Sequence, residues 1–253
     1  MGVGFTEEHG WGATVNKPDL VDIYVLEMNP ENPNQYRLDG EWRDLEVGEV
    51  KLKLKLWGFF PWSVKREVLR SVHGPALRTE HCVYAIRYAG LDEMKQVEQW
   101  LAMNKAKNFD EWKAAVALNH IQSFNFVYAN RHGDIHFIHN AQLPVRAPGW
   151  NWQQYLPGDR SDLIWQGYHP TSALPQVTNP ESGFLHSANQ TPFNVTEAQD
   201  NPQPNTVPAN GGWQTRMTNR ATRGLELFAD FEQISFDEAW QLKHDNSYSV
   251  NYR

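Results

Sequence analysis

The stretch Phe124-Asn-Phe-Val-Tyr-Ala-Asn-Arg-His-Gly-Asp-Ile-His-Phe-Ile-His139 decides how the chain is organised. Two runs rich in aromatic and β-branched residues, 124–129 and 134–139, flank the polar tetrapeptide Asn130-Arg-His-Gly133. Such runs on either side of a short turn containing glycine predict a β-hairpin. The rest of the sequence divides into segments before and after this hairpin.

Upstream of the hairpin, apolar residues recur at helical spacing from Leu91 to Leu101 and again from Phe109 to Val116. Strands are predicted further upstream at 21–26, 36–42 with a turn at Asp39-Gly40, 49–56 and 82–88. The strand at 49–56 alternates Val and Leu with Lys51, Lys53 and Lys55. We expect it to be half-buried, with a solvated lysine face that protects a sheet edge.

Downstream, residues 142–212 are dominated by Pro, Gly, Asn and Asp, and we expect this long segment to wrap the sheet and line a site. Helices are predicted from about Thr215 to Ala229 and after Ser235, where Ser235 and Glu238 have the spacing of a capping box. Strands, then two helices, more strands and final helices indicate a layered α/β sandwich, although pattern alone leaves its topology open.

Composition excludes several classes of protein. The chain has 253 residues, 40% of them hydrophobic, and a net charge of -7. Lys and Arg are scattered along the sequence, which argues against a nucleic-acid or anionic-membrane partner. The apolar runs are too short to span a bilayer, and the one cysteine, Cys82, excludes an internal disulfide. The 11 tryptophans fit either a sheet core or a glycan-binding surface.

Common catalytic signatures are missing: the sequence has no Gly-x-Ser-x-Gly elbow, phosphate loop, dinucleotide fingerprint or His-Glu-x-x-His. What remains are asparagine-bearing turns at 11–16, 179–183 and 187–192. Backbone N–H groups and side-chain amides on such turns can stabilise a developing oxyanion. An asparagine in a turn also commonly serves only the backbone.

The order of several motifs resembles the penicillin acylase family, which includes acyl-homoserine lactone acylases. The matching stretches are Trp11-Gly-Ala-Thr-Val-Asn-Lys-Pro-Asp-Leu-Val-Asp-Ile-Tyr24, Tyr36-Arg-Leu-Asp-Gly-Glu-Trp-Arg43, His73-Gly-Pro75, Phe124-Asn-Phe-Val-Tyr-Ala129, Leu143-Pro-Val-Arg146, Asn179-Pro-Glu-Ser-Gly183, Asn189-Gln-Thr-Pro192, Asn219-Arg-Ala-Thr-Arg223 and Lys243-His-Asp245. The resemblance implies an N-terminal-nucleophile hydrolase with an αββα sandwich and long wrapping loops. Its substrate would be a small acyl amide, cleaved through an acyl-enzyme.

By this resemblance, Val15 matches the residue whose backbone N–H forms part of the oxyanion hole. Asn189 matches the asparagine whose amide completes the hole, and Arg220 the arginine that orients this asparagine and the substrate. Arg223, one helical turn further, is expected to be a surface or packing residue. No cofactor is expected for catalysis.

The resemblance also implies a structural calcium site in some members of the family. Asp19, Asp22 and the carbonyl of Val21 match part of it, and Asp200 matches a further ligand less closely. Closely spaced carboxylates and a carbonyl suit a hard cation such as Ca²⁺. Asp19 and Asp22 would otherwise only cap and solvate a turn.

Met1 stands ten residues before Trp11, whereas the family's nucleophilic serine precedes that motif by several dozen residues. Residues 1–253 are therefore expected to be one partial domain, truncated at both ends, that lacks the serine, the N-terminal strands and the smaller chain, and is inactive alone. The parent protein would be periplasmic or secreted, although this chain carries no signal. The alternative is a non-catalytic protein that keeps the acyl-amide groove.

Overall fold

The computed structural model describes residues 3–91, 93–229, 231 and 233–252. The chain divides into two compact units. The first comprises residues 1–19, 92–143 and 168–253, and the second comprises residues 20–91 and 144–167. Each unit therefore contains segments that are distant in sequence.

The strands, in chain order, are β1 Gly4–Phe5, β2 His9–Thr14, β3 Val21–Leu26, β4 Met28–Asn29, β5 Asn32–Leu38, β6 Glu41–Asp44, β7 Glu46–Leu56, β8 Phe60–Ser71, β9 Gly74–Arg78, β10 Val83–Tyr88, β11 Ser123–Asn130, β12 Ile135–Ala141, β13 Leu156–Pro157 and β14 Gln176–Thr178. The α-helices are α1 Gln96–Lys105, α2 Phe109–Val116, α3 Asn219–Ala229 and α4 Phe236–Lys243. No helix in the described ranges combines the length and apolar character needed to cross a membrane.

The first unit is built on a five-stranded antiparallel sheet in the order β1-β2-β11-β12-β14. Helices α1 and α2 cover one face, where alternate residues of β11 enter the core. Phe126 and Tyr128 of that strand are fully buried and pack against Trp112 of α2. Each large aromatic ring that is buried stabilises this layer by about 2–3 kcal/mol, because its apolar surface is removed from water.

The opposite face of the same sheet is polar where its central strands meet. Thr14 of β2, Asn125 of β11 and His139 of β12 are directly opposite one another in the ladder. Irregular chain from the 142–212 segment covers this row: Ser187 contacts Thr14, and the Trp213 ring, just beyond that segment, lies edge-on to His139. The part of the long loop that belongs to the first unit thus packs on the sheet, as the sequence predicted, whereas residues 144–167 belong to the second unit.

The second unit contains a six-stranded sheet in the order β13-β3-β10-β9-β8-β7 and a small sheet in the order β4-β5-β6. Its interior holds an ion pair in which both side chains are fully buried: Arg146 Nε donates to Asp22 Oδ2 at 3.0 Å. Trp165 donates to the same oxygen at 2.8 Å. Loss of either charged partner would leave an uncompensated buried charge, which costs several kcal/mol.

The prediction for 49–56 is correct about the strand and its edge position and wrong about burial. Strand β7 is an edge strand, as expected, but every one of its residues is exposed. Leu52 and Leu54 are each 44% exposed because β7 and β8 pair with each other over 11 residues and no other described element covers either face.

Three further predictions need correction at element boundaries. Helix α1 begins at Gln96 rather than near Leu91, and α3 begins at Asn219 rather than near Thr215. Cys82 precedes β10 and is partly exposed, not buried within a strand. The hairpin at 124–139 and the capping box at Ser235 are confirmed.

The predicted apolar face of α1 is divided: Trp100 packs against the aromatic core, whereas Val97 and Leu101 face solvent. Val97 is 76% exposed, whereas Gln99 is buried. The Gln99 amide accepts from the His120 and Ile121 N–H groups and donates to the Val116 carbonyl. Burial of this polar side chain is favourable because it satisfies three backbone groups that would otherwise lack partners.

Candidate active site

Val15 lies where the chain leaves the first unit's sheet. It follows Thr14, the last paired residue of β2, and its side chain is 57% exposed. The next residue, Asn16, is buried and donates from Nδ2 to the Asn140 carbonyl at 3.0 Å. This anchor holds the backbone of Val15 at the end of the strand.

Asn189 sits in a tight turn in the left-handed region, with φ of 63°. Asparagine tolerates this conformation better than most residues. The turn is held from inside by Gln190, whose buried amide accepts from the Ala188 N–H and donates to the carbonyls of His186 and Asn194. The Asn189 side chain projects to the surface and donates from Nδ2 to the Val15 carbonyl at 2.7 Å.

Arg220, in the first turn of α3, determines how the Asn189 amide is oriented. One Arg220 nitrogen donates to Asn189 Oδ1 at 2.9 Å and to the Ala188 carbonyl at 3.0 Å. Because arginine can only donate, the oxygen of Asn189 must face it and the NH₂ group must face Val15. The assignment of this amide's two ends therefore follows from the hydrogen bonds themselves.

A cavity of about 620 Å³ opens beside this pair. Its lining residues are Val15, Lys17, Asn189, Trp213, Gln214, Thr215, Arg216 and Thr218. The volume is in the range of small-molecule sites. Gly212 is required nearby, because its φ is 60° and a Cβ there would overlap Asp19.

The polar row beneath this region carries no strong base. Burial lowers the pKa of His139 to about 3, so this imidazole is neutral at ordinary pH. Burial, and secondarily the charge of Arg220, lowers the pKa of His186 to about 4. The Ser187 hydroxyl is hydrogen-bonded to the Thr14 hydroxyl at 2.6 Å, a neutral partner that does not activate it as a nucleophile.

The arrangement is suited to stabilising negative charge on an oxygen. A primary amide has two N–H donors, and the hydrogen bond to the Val15 carbonyl uses one of them. The second N–H of Asn189 and the backbone N–H of Val15 are the two neutral donors that the sequence resemblance assigned to an oxyanion hole. The structure brings Val15, Asn189 and Arg220 together: the Asn189–Val15 hydrogen bond joins positions 174 residues apart, and the Arg220–Asn189 bond joins positions 31 apart.

The other predicted asparagine turn has a structural role. Asn179 accepts from the Ile135 N–H and donates to Asp134, so it ties the end of β14 to the start of β12. Of the eight residues that line the cavity, sequence reasoning named only Val15 and Asn189, and those it missed include Lys17, Trp213 and Arg216. The position of Lys17, two residues after Val15, could have indicated that it lies at the cavity. Nothing in the sequence pattern indicated Arg216.

Two of the residues predicted for calcium lie in the second unit. Val21 begins β3, and Asp22 is the buried partner of Arg146 and Trp165. A guanidinium at 3.0 Å already neutralises the Asp22 carboxylate, which reduces its tendency to bind a metal ion.

The other two residues lie in the first unit. The Asp19 N–H donates to the Gly211 carbonyl, and Asp200 accepts from the Ser182 N–H. Over residues 3–91, 93–229, 231 and 233–252, no group of three or more His, Cys, Asp or Glu side chains is placed to hold a metal ion. No chemical step is assigned to calcium, and the site stays a prediction.

Comparison with known proteins matches this chain to acylases. A family model described as penicillin amidase matches residues 1–253. Penicillin G acylase from Escherichia coli is 29% identical over 194 residues, which cover 75% of this chain and 22% of that protein. The acyl-homoserine lactone acylase PvdQ from Pseudomonas fluorescens strain Pf0-1 is 28% identical over 225 residues, or 79% of this chain and 29% of that protein.

A solved structure has the same fold. The thermostable penicillin G acylase from Alcaligenes faecalis aligns with a TM-score of 0.76 and 24% sequence identity. The alignment covers 95% of this chain and 41% of that one. The chain therefore spans less than half the length of each of these relatives.

Proposed function

This chain belongs to the penicillin amidase family and has the α+β fold of a penicillin G acylase, and we propose that it supplies the oxyanion hole of an N-acyl amide hydrolase. The relatives are acylases, and their reaction is the hydrolysis of an amide to an acid and an amine. The substrate class proposed here is a small acyl amide.

The observation that carries the proposal is the orientation of the Asn189 amide. Arg220 holds its oxygen, so the NH₂ group is presented between the Val15 backbone and the cavity. Donors that are fixed before the reaction stabilise developing charge without reorganising, and this is commonly the largest single contribution in acyl transfer.

In the proposed reaction, a serine hydroxyl oxygen attacks the amide carbonyl carbon and the carbonyl π electrons move onto oxygen. The Val15 N–H and the Asn189 amide donate to that oxyanion. When the carbonyl re-forms, the C–N bond breaks, the amine leaves with the serine's proton, and an acyl-enzyme ester remains. Water then hydrolyses the ester to the acid and restores the hydroxyl.

We place the nucleophile outside residues 1–253. The family's reaction uses a serine whose own α-amine is the base. The serine beside Asn189, Ser187, is internal, and among the described residues its hydroxyl has a neutral partner, the Thr14 hydroxyl. The proposal therefore includes partner segments of the same protein that complete the active site, and it expects no amide hydrolysis by residues 1–253 alone.

The test uses a tetrahedral acyl phosphonamidate, which mimics the oxyanion and needs no nucleophile to bind. Calorimetric titration of residues 1–253 should show saturable binding. Asn189→Ala should weaken it about tenfold, or about 1.4 kcal/mol, because one fixed donor is lost. Asn32→Ala, at the first residue of β5 in the second unit, serves as the control and should leave the affinity unchanged.

Two results would contradict the proposal. One is the absence of phosphonamidate binding to a folded chain. The other is hydrolysis of an acyl p-nitroanilide by residues 1–253 at a rate that Asn189→Ala does not change. In a longer protein that contains this chain and is active, the same substitution should lower kcat about 10²- to 10³-fold, with a smaller change in KM.

A further inference from the structure

Two cationic side chains, Lys17 and Arg216, line the cavity beside Asn189. They come from opposite ends of the first unit's sequence, one from the segment after β2 and one from the segment before α3. The whole chain has a net charge of -7, whereas this cavity is lined by two cations and no carboxylate. The charge of the cavity lining is therefore opposite in sign to that of the chain. Clefts lined by charge of one sign concentrate ligands of the opposite sign.

Neither cation is neutralised within the described part of the chain. Ion pairs there hold other basic residues, such as Arg146, Arg160 and Arg223, against carboxylates at 2.7–3.0 Å. Arg216 has only the neutral Tyr252 hydroxyl, at 3.5 Å, and no carboxylate pairs with Lys17 in the same described ranges. Both cations are therefore available to an anionic ligand.

Arg220 adds a third positive charge behind Asn189. Its charge acts on the loop that holds His186: the pKa of His186 is lowered mainly by burial and secondly by the charge of Arg220. The nearest acidic residue in sequence, Asp19, is not part of the cavity lining, and its backbone is held to Gly211. The cavity lining and the residue behind Asn189 together carry three positive charges, and the lining contains no carboxylate.

The remaining walls are suited to the uncharged part of a small molecule. The Trp213 indole N–H already donates to the Pro208 carbonyl at 2.9 Å, so this ring offers the cavity its apolar surface. Val15 contributes a second apolar side chain. A ligand with one anionic group and an otherwise apolar body matches this distribution.

We propose that Lys17 and Arg216 are specificity-determining residues that bind a substrate carboxylate, so that the site selects acyl amides carrying negative charge, such as N-acyl amino acids, over neutral acyl amides. This inference rests on the proposed function. It assigns the selection to these two side chains, in addition to the oxyanion donors.

The test compares two ligands of nearly the same shape, an N-phenylacetyl amino acid and its primary carboxamide, which lacks the charge. Calorimetry on residues 1–253 at 50 mM salt should show that the acid binds about tenfold more tightly. At 300 mM salt the preference should shrink, because exposed charges are screened. In the Lys17→Met/Arg216→Met variant, the two ligands should bind within about twofold of each other.

The matched control is Lys105→Met/Lys107→Met, which removes the same charge from exposed positions of the first unit outside the cavity lining. It should keep the preference for the acid and bind the neutral carboxamide as the unmodified chain does. Equal binding of the two ligands by the unmodified chain would overturn the proposal, as would a preference that survives Lys17→Met/Arg216→Met.

The outcomes separate this proposal from the proposed function. If both ligands bind equally and Asn189→Ala weakens both, the acyl-amide site stands and the charge selection is wrong. If neither ligand nor the phosphonamidate binds to the folded chain, the proposed function fails as well.

Discussion

Arg220 and Arg223 are three residues apart on α3 and have different partners. Arg220 donates to the Asn189 side chain and the Ala188 carbonyl. Arg223 makes two hydrogen bonds to the Asp245 carboxylate, at 2.9 and 3.1 Å, and holds the pKa of that carboxyl below its ordinary value. Arg220 therefore orients the Asn189 amide, and Arg223 holds the segment that follows α4 against α3.

We therefore expect substitutions of the two arginines to have opposite effects. Arg220→Ala should weaken phosphonamidate binding about three- to tenfold and leave the melting temperature within about 2 °C, because its side chain is exposed and alanine favours a helix. Arg223→Ala should spare binding and cost about 1–2 kcal/mol, because Asp245 is only 19% exposed and loses its partner.

Calorimetric titration and thermal unfolding of both variants are the measurements. A 1 kcal/mol loss corresponds to about 2–4 °C for a protein of this size. Equal loss of affinity in both variants would show that α3 as a whole, rather than Arg220, positions Asn189.

At the scale of elements, the β7–β8 hairpin has an apolar face and a cationic face. The register places Leu52 opposite Val64 and Leu54 opposite Trp62 on one face, and Lys51 opposite Lys65 on the other. The strand edge of β7 is unpaired within the described residues. An exposed edge beside an apolar face favours association between chains, and lysines oppose it.

Substitutions in β7 should therefore change self-association more than stability. Leu54→Lys should lower the association of residues 1–253 seen by sedimentation velocity, and Lys53→Val should raise it, with melting temperatures within about 2 °C. Leu101→Lys, at a half-exposed leucine of α1, is the control and should have no effect on association. Unchanged association in both β7 variants would exclude this hairpin as the contact.

At the scale of the whole molecule, histidines shielded from water couple folding to pH, and three of them have the largest pKa shifts. Burial lowers the pKa to about 4 for His136, about 3 for His139 and about 4 for His186, from an ordinary value of 6.5. As pH falls through 6.5, the unfolded chain binds these protons before the folded chain does. Stability is therefore complete above pH 6.5 and is lost progressively toward pH 4.

The carboxyl groups change the stability in a separate, lower pH range. The pKa values of Asp245 and Glu226 lie below their ordinary values of 3.8 and 4.5, because Arg223 donates to the first and Ser249 to the second. Their stabilisation is present above those ordinary values and is lost only at lower pH. Acid destabilisation between pH 7.5 and 5 is thus assigned to the histidines.

Urea unfolding at pH 7.5 and pH 5.0 should show this loss, up to about 2 kcal/mol for each histidine. His139→Leu should reduce the difference between the two pH values, because it removes a buried imidazole with no hydrogen-bond partner at either ring nitrogen among the described residues. His132→Leu, at an exposed turn position, should leave the difference unchanged. An equal pH dependence in all three proteins would refute the assignment.

Much of the fold was predictable from local sequence. The alternation on both sides of Asn130-Arg-His-Gly133 predicted the β11–β12 hairpin, and the spacing of Ser235 and Glu238 predicted the cap of α4. The face of α1 was not predictable from periodicity, because Gln99 is buried through hydrogen bonds to backbone groups about twenty residues away. The exposure of β7 had no local signal either, since it depends on what covers the strand.

From the sequence alone came the strands at 21–26, 49–56 and 82–88, the β11–β12 hairpin, the family, and Val15, Asn189 and Arg220 as candidate site residues, because propensity, turn chemistry and motif order are properties of neighbouring residues. Strand β8 was not predicted, and the predicted turn at 11–16 is strand β2 as far as Thr14. Only the tertiary structure decided that Arg220 orients the Asn189 amide toward Val15, and that Lys17 and Arg216 meet at one cavity without a carboxylate. These contacts join segments up to about 200 residues apart, so they depend on sheet register and on the path of the long loop.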